Sequence, residues 1–574
     1  MSQPSLPVAL AALDRPAKPA QWLAIVEQWH TESRFWWLDS ALTDARLGRT
    51  SFAGADPYLD LRARGRAIEI EVHRQVRPGL MAGLHRHEGD PVAFARSLLP
   101  RTEQVLYSTR TIEGRERASE PAQPARSPDS AWTRAAGLPD GLTLPFLGGA
   151  VGYFGYELAS TLESGLVFEN AGGPGLPDLA LAYVDQVLAY DHTSERLWIL
   201  GLAFEARDVA GGELETEVEV EAEQEAAGVF ELQGSLVGRS RNLVDALSVR
   251  VERVLGEEGT DAACARSASF NRSDLDAGSL YSRTGPRGAP SEAGFGFDST
   301  VDASGYAKAV DSILEEIAAG NVYQANFSQR LTVEAEIDPW RIYRALRSQN
   351  PAPFAGYLSL PDAAILSSSP ERFLRLDGEG RVESRPIKGT RPRGRDEAED
   401  LRLAAELLAS SKDRAENLMI VDLVRNDLGR VCAPHSIAVT ELMAIEAYAK
   451  VFQMVSTVTG RLAANRDGFD LLRASFPPGS MTGAPKLAAI AILEKLEKVK
   501  RGVYAGALGY LDLRGGLDLS VVIRTIVWKD GQAHLHVGGG IVSDSIPAAE
   551  YLESLDKASA PLAALGQALG SEAQ

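Results

Sequence analysis

Past residue 300 the apolar positions fall into two recurring spacings. Tyr306, Val310, Ile313, Leu314 and Ile317 recur at three- and four-residue intervals, which predicts an amphipathic helix stopped by Gly320. Residues 354–358 and 363–366 are apolar runs of strand length. The runs 520–528 and 532–537 flank Asp530-Gly531, a pair that favours a two-residue hairpin turn. Within 520–528, period-two alternation puts Arg524 on one side of a strand with Val522, Ile526 and Trp528. Strand clusters interspersed with helices, without a regular βαβ rhythm, predict an α+β fold with antiparallel sheets.

Three segments break the pattern and read as poorly packed insertions. Residues 113–137 are rich in Arg, Glu, Pro, Ser and Ala, and 213–225 place Glu at every second position. That run suits a strand with one acidic face, but is read here as a solvated linker. Residues 256–300 are crowded with Gly, Ser, Arg, Asp and Pro, too little apolar surface to offset the entropy of ordering them. No internal repeat stands out.

The 574 residues give room for two to four ordinary domains or one large one, and 45% apolar content is ample for a core. A formal charge of −19 with no basic stripe argues against nucleic acid and against anionic membranes. A small anionic substrate would need local positive charge or a metal ion. The two cysteines, Cys264 and Cys432, lie far apart at no metal-ligand spacing, which predicts reduced thiols in a cytoplasmic protein. The apolar run 6–13 is short and has no basic residue before Arg15, so it is not read as a signal peptide, and no stretch reaches the ~20 apolar residues of a membrane span.

Candidate chemistry gathers at SPERF (369–373) and SRPIKGT (384–390). Lys388 sits between Ile387 and Gly389, where its side chain can be led into a cleft; a desolvated lysine of lowered pKa is a nucleophile. Glu371 is near enough in sequence to lie on a neighbouring strand and protonate a leaving hydroxyl. Composition alone favours a surface lysine and a helix-capping glutamate. Glu416 opens an apolar helical segment, and Glu550 and Glu553 share a helix face, a pattern that solvated glutamates also give. Arg524 among apolar neighbours needs an anion, from a structural ion pair or a ligand.

The run PIKGTRP (386–392) resembles the signature of the chorismate-utilising family that includes the anthranilate synthase and aminodeoxychorismate synthase large subunits. The resemblance continues in order through AENLMIVDLVRND (415–427), FPPGSMTGAPK (476–486), YAGALGY (504–510), IRT (523–525) and GGGIVSD (538–544). Weaker matches are FWWLDSA (35–41), GRTSF (48–52) and PFLGGAVGY (145–153). It implies a large two-subdomain antiparallel β-sandwich flanked by helices in four αββα layers. An N-terminal subdomain would span 1–204, a variable acidic and Gly/Ser-rich insertion 205–300, a chorismate-binding catalytic domain 301–566 and a tail 567–574.

The same resemblance implies roles for particular residues. Lys388 and Glu371 become nucleophile and general acid, and Glu416 and Glu553 become Mg²⁺ ligands with Glu550 nearby. Thr390, Ser480, Tyr504, Arg524 and the backbone N–H groups of Gly538 and Gly540 become substrate contacts. Gln324 stands where water-using isochorismate and salicylate synthases have a base lysine; a glutamine cannot deprotonate water, which implies amination. Lys388 stands where anthranilate synthases have alanine, which implies amination at C4 rather than C2. Gln453 replaces a histidine that assists pyruvate elimination, consistent with a product that keeps its enolpyruvyl group. Neither cysteine carries a glutaminase nucleophile motif, so ammonia is expected from a separate glutaminase subunit, with the product serving 4-aminobenzoate and folate synthesis. Around Ser40 relatives bind tryptophan, but Asp39 stands where they often have Glu, which leaves a tryptophan pocket open. The alternatives are C2 amination, and a silent subunit that binds chorismate or the glutaminase.

Overall fold

The computed structural model describes residues 8–41, 47–76, 80–99, 105–111, 133–135, 144–204, 222–256, 296–448 and 450–570. Among these residues two sheets, of 14 and 12 strands, stack face to face, and each is assembled from both ends of the chain. In the larger sheet Gln324–Glu334, Gln532–Ile541, Thr525–Lys529, Ala363–Ser369 and Phe354–Ser359 lie side by side. Phe354–Ser359 then pairs with Trp36–Asp39, which carries the sheet on into N-terminal strands. In the smaller sheet the join is between Ala507–Asp512 and Gly149–Phe154. Backbone hydrogen bonding thus runs unbroken across both halves. Among the described pairs only Val8–Pro16 with Val105–Thr111 is parallel.

The layers follow from where apolar side chains go. Leu59, Val151, Tyr510 and Leu519 of the smaller sheet meet Phe52, Leu200 and Ile365 of the larger in one core. Trp22, Ile25, Val244, Ile342, Tyr343 and Leu565 form a second core, between helices and the outer face of the larger sheet. This is the expected α+β sandwich, with helices outside both sheets. No helix among the described residues is long and apolar enough to cross a membrane.

Locally, the strongest patterns hold. The helix Ala303–Ala318 buries Tyr306, Val310 and Ile313, starts where the Asp302 side chain accepts the Gly305 N–H at 2.7 Å, and ends two residues before Gly320. The hairpin Thr525–Lys529/Gln532–Ile541 turns through Asp530 and Gly531 at φ 50 and 74, the left-handed pair such a turn requires. Val8–Pro16 is a buried strand.

Three expectations change. The segment 205–300, read as insertion or linker, contains the 35-residue helix Ala222–Gly256, whose Val244, Leu247, Val251 and Val254 are buried at helical spacing beneath the strands Val8–Pro16 and Arg196–Phe204. Its first residues belong to the Glu-rich run; 205–221 and 257–295, with Cys264, lie outside the described residues, as do 113–132 and 136–137 of the first insertion. The run 520–528 is two strands, Leu517–Val521 in the smaller sheet and Thr525–Lys529 in the larger. Arg524 is not within a strand: at φ 50 it turns the chain from one sheet to the other. Nor do Glu371 and Lys388 lie on neighbouring strands, since Ile387–Pro392 pairs with Val451–Arg461 and Glu371 precedes Arg372–Leu376 in a second crossover.

Candidate active site

The two crossovers run side by side. Residues 370–371 lead from Ala363–Ser369 in the larger sheet to Arg372–Leu376 in the smaller, and residues 522–524 lead back. They are tied by Val521 N to Glu371 O at 3.0 Å, Ser368 N to Arg524 O at 3.2 Å and the Ser369 hydroxyl to Val521 O at 2.6 Å. A carboxylic acid and a guanidinium are thereby set on the seam between the sheets.

Glu371 is 4% exposed. Burial pushes its carboxyl up to about 7, against hydrogen bonds from the Ser480 hydroxyl and the Ile387 N–H and the charges of Lys388 and Arg524. Lys388 donates to the Ser480 carbonyl at 3.1 Å. Desolvation holds its ammonium below the ordinary lysine value; Glu416, Glu371 and Glu553 oppose that shift and Lys557 adds to it. Ser480, in the turn Gly479–Met481, thus bridges the two groups: its hydroxyl serves the acid and its carbonyl the amine. The pair can deliver a proton and a nucleophile to one substrate.

Gln324 lies beside them, fully buried, with neither amide atom hydrogen-bonded. A Cβ on Gly540 would collide with its amide nitrogen and stand 3.4 Å from Lys388 Nζ, so glycine keeps this space free. Gly540→Ala is accordingly expected to lower kcat/KM by about 10²-fold with little loss of stability, because it displaces the Gln324 and Lys388 side chains from the cleft; steady-state kinetics with a thermal melt checks it. Gly538 pairs with Ser328 in the ladder, and its carbonyl accepts from Lys557 at 3.0 Å. Arg524 forms no ion pair among the described residues; burial lowers its pKa, and Glu371 and Tyr448 only partly compensate. Tyr504 is buried and stacked on His536 with ring centroids 5.2 Å apart; burial raises its phenol to about 12. Gln453, 2% exposed, has an unpartnered Oε1 and faces Thr390 across the ladder. Thr390 itself is exposed, and the described residues give its hydroxyl no partner.

The three candidate metal ligands come from two helices. Glu416 is on Ser411–Gly429, and Glu550 and Glu553 are on Pro547–Gly570. Glu416 has no ion pair among the described residues, and burial raises its pKa against the pull of Lys388 and Lys412. Glu550 is buried and fixed by the Ser545 hydroxyl at 2.6 Å and Lys412 at 3.2 Å. Glu553 is half-exposed, with a pKa lowered by Lys557 at 2.9 Å. All donors are carboxylate oxygens, which fits a hard divalent cation, with Glu416 and Glu553 freer to bind it than Glu550. They are more widely spread than a preformed chelate. The one described trio with ligand atoms within 4.8 Å is Asp60, Glu71 and His73, and there Arg34 and Arg62 already hold the carboxylates.

Sequence reasoning passed over Ser480 as a bridge and over Lys412 and Lys557. The lysines were within reach of it: each lies four residues from a candidate ligand, Glu416 or Glu553, on one helix face. Ser40 lies apart from this cleft. Its hydroxyl donates to Thr50 O at 3.0 Å and it lines a cavity of about 490 Å³ with Leu38, Phe52, Arg372 and Tyr510. Asp39 is committed to Arg347 at 2.5 Å and Tyr343 at 3.3 Å.

A family described as chorismate binding enzyme matches residues 98–563. Aminodeoxychorismate synthase of Streptomyces pristinaespiralis is 42% identical over 428 residues, covering 75% of this chain and 52% of that protein. The chain thus spans about half the length of that relative. Anthranilate synthase component 1 of Streptomyces coelicolor is 38% identical, covering 74% of each chain. In three dimensions, anthranilate synthase component I from Streptococcus pneumoniae superposes with a TM-score of 0.61 at 25% identity over 91% of this chain and 94% of that one.

Proposed function

The chain belongs to the chorismate-binding enzymes, and within that family we propose that it is an aminodeoxychorismate synthase large subunit, replacing the C4 hydroxyl of chorismate by an amino group with ammonia from a glutaminase partner. The observation that carries this is the desolvated Lys388 Nζ sharing Ser480 with a Glu371 carboxyl whose pKa is about 7.

In this mechanism Arg524 and Tyr504 hold substrate carboxylate and orient the ring over Lys388. Neutral Lys388 attacks C2; the two ring double bonds shift, the C4–O bond breaks and Glu371 gives the departing hydroxyl its proton, so that water leaves. Ammonia then forms a bond to C4, the double bonds shift back and the C2–N bond to Lys388 breaks. The proton shed by the new amine restores Glu371. Glu416 and Glu553 would hold Mg²⁺, with Glu550 behind them. When bound, Mg²⁺ supplies positive charge for a substrate carboxylate and for the oxygen that leaves. Gln324 can hydrogen-bond an incoming nucleophile but cannot take its proton, which favours ammonia, already nucleophilic, over water.

Anthranilate formation is the second reading, favoured by the relatives of that name at 36–38% identity. Incubating the purified chain with chorismate, Mg²⁺ and excess ammonium, then separating products by mass and chromatography, distinguishes them. 4-Amino-4-deoxychorismate is expected; anthranilate as the main product would overturn the assignment.

A further inference from the structure

The strand Gln324–Glu334 presents polar side chains along one face: Gln324, Asn326, Ser328, Arg330 and Thr332. The first two belong to the cleft, and the Ser328 hydroxyl and N–H are both taken by Glu497 at 2.8 Å. Arg330 is different. Its Nε and Nη1 are buried without a hydrogen-bond partner, and no carboxylate among the described residues pairs with it. Carboxylates are not scarce in a chain with 78 acidic and 59 basic residues, so the vacancy is a local arrangement.

Among the described residues the surroundings supply more donors, and the carboxylate that acts on His534, Glu334, makes no ion pair with Arg330. Directly across the ladder is His536, whose Nε2 is also buried and unpartnered. His534 is engaged by the Thr332 hydroxyl at 3.2 Å through Nδ1. Both imidazoles are kept neutral by burial and by Arg330. Over Arg330 passes the turn at Gly172 and Gly173, where a Cβ on Gly173 would stand 3.4 Å from Nη1. Isolated guanidinium groups are costly to bury, and planar N–H donors of this kind match a carboxylate or a phosphate. Arg330 lies six residues from Gln324, about 20 Å along the strand, too far to share a ligand with Lys388.

We infer that Arg330, His536 Nε2 and the Gly172–Gly173 turn form a second ligand site, set off from Lys388 and divided from the chorismate cleft by the Tyr504 ring stacked on His536, which takes a small oxoanion of the carboxylate or phosphate class. In the Nε2–H tautomer His536 donates alongside the guanidinium, and the exposed edge of Arg330 gives entry.

The test is thermal unfolding of the full chain at constant ionic strength, with chloride exchanged for inorganic phosphate or for succinate. A saturable rise in Tm of about 2 °C is expected at hundredfold excess over Kd. Arg330→Met should abolish that rise while melting no lower than the wild type in chloride, since it removes an unpaired buried charge. Arg330→Lys, which keeps the charge but loses the fork, should need about tenfold more anion and serves if the methionine variant does not fold. Saturation by phosphate alone or by succinate alone assigns the class. A rise that does not saturate, or one retained in Arg330→Met or unchanged in Arg330→Lys, overturns the site.

Discussion

Replacing Lys388 by alanine is expected to lower formation of 4-amino-4-deoxychorismate by about 10³-fold or more, with any residual amination moved towards C2. Loss of a covalent nucleophile leaves only the binding and electrostatic parts of catalysis, which sets the size of the effect. The fold should survive, because removing a desolvated ammonium relieves a burial cost and, among the described residues, the side chain makes one hydrogen bond, to Ser480 O. Product analysis with ammonium as nitrogen donor checks both parts. Normal 4-amination by this variant would sink the covalent role of Lys388 while leaving the chorismate cleft intact.

Glu371→Gln should cost about 10²- to 10⁴-fold in kcat, the usual range for a positioned general acid. Its signature is in the pH profile. The acid works protonated, and burial holds its pKa near 7, so wild-type kcat/KM should fall as pH rises through about 7. On the other side, Lys388 works neutral, and its lowered pKa brings the acidic fall closer to neutrality than a free lysine would. In Glu371→Gln the alkaline fall should vanish and the acidic one remain. An alkaline limb that persists unchanged in the variant would assign that proton to another group.

The candidate site could be drawn from the sequence because its residues sit in contiguous runs. Lys388, Glu416, Ser480 and the three glycines at 538–540 each lie inside a motif, and local spacing alone placed the helix at 303–318 and the Asp530-Gly531 turn. What escaped depends on long-range pairing. Alternation at 520–528 reads straight through Arg524 because both flanking strands keep their apolar residues in phase, and no Gly, Asn or Asp marks the left-handed turn. The helix 222–256 escaped because its first turns are Glu- and Gly-rich; among the described side chains the apolar stripe that docks it runs from Val244 to Val254. Arg330 carried no signal, since a strand arginine that lacks a carboxylate looks the same in sequence as one that has it.

The side-by-side crossovers also govern how this protein loses activity. A catalytic acid on a single surface loop can drift while the rest stays folded. Here Glu371 and Arg524 cannot separate unless the ladder ends of both sheets part together, since Val521, Ser368 and Ser369 stitch one crossover to the other. Glu371 and Arg524 are therefore expected to stay in register until the sandwich itself opens. Glu416 and Glu553, on separate helices outside the sheets, do not share that protection. Partial denaturation should loosen cation binding first, leaving a folded protein whose acid and arginine are still in register.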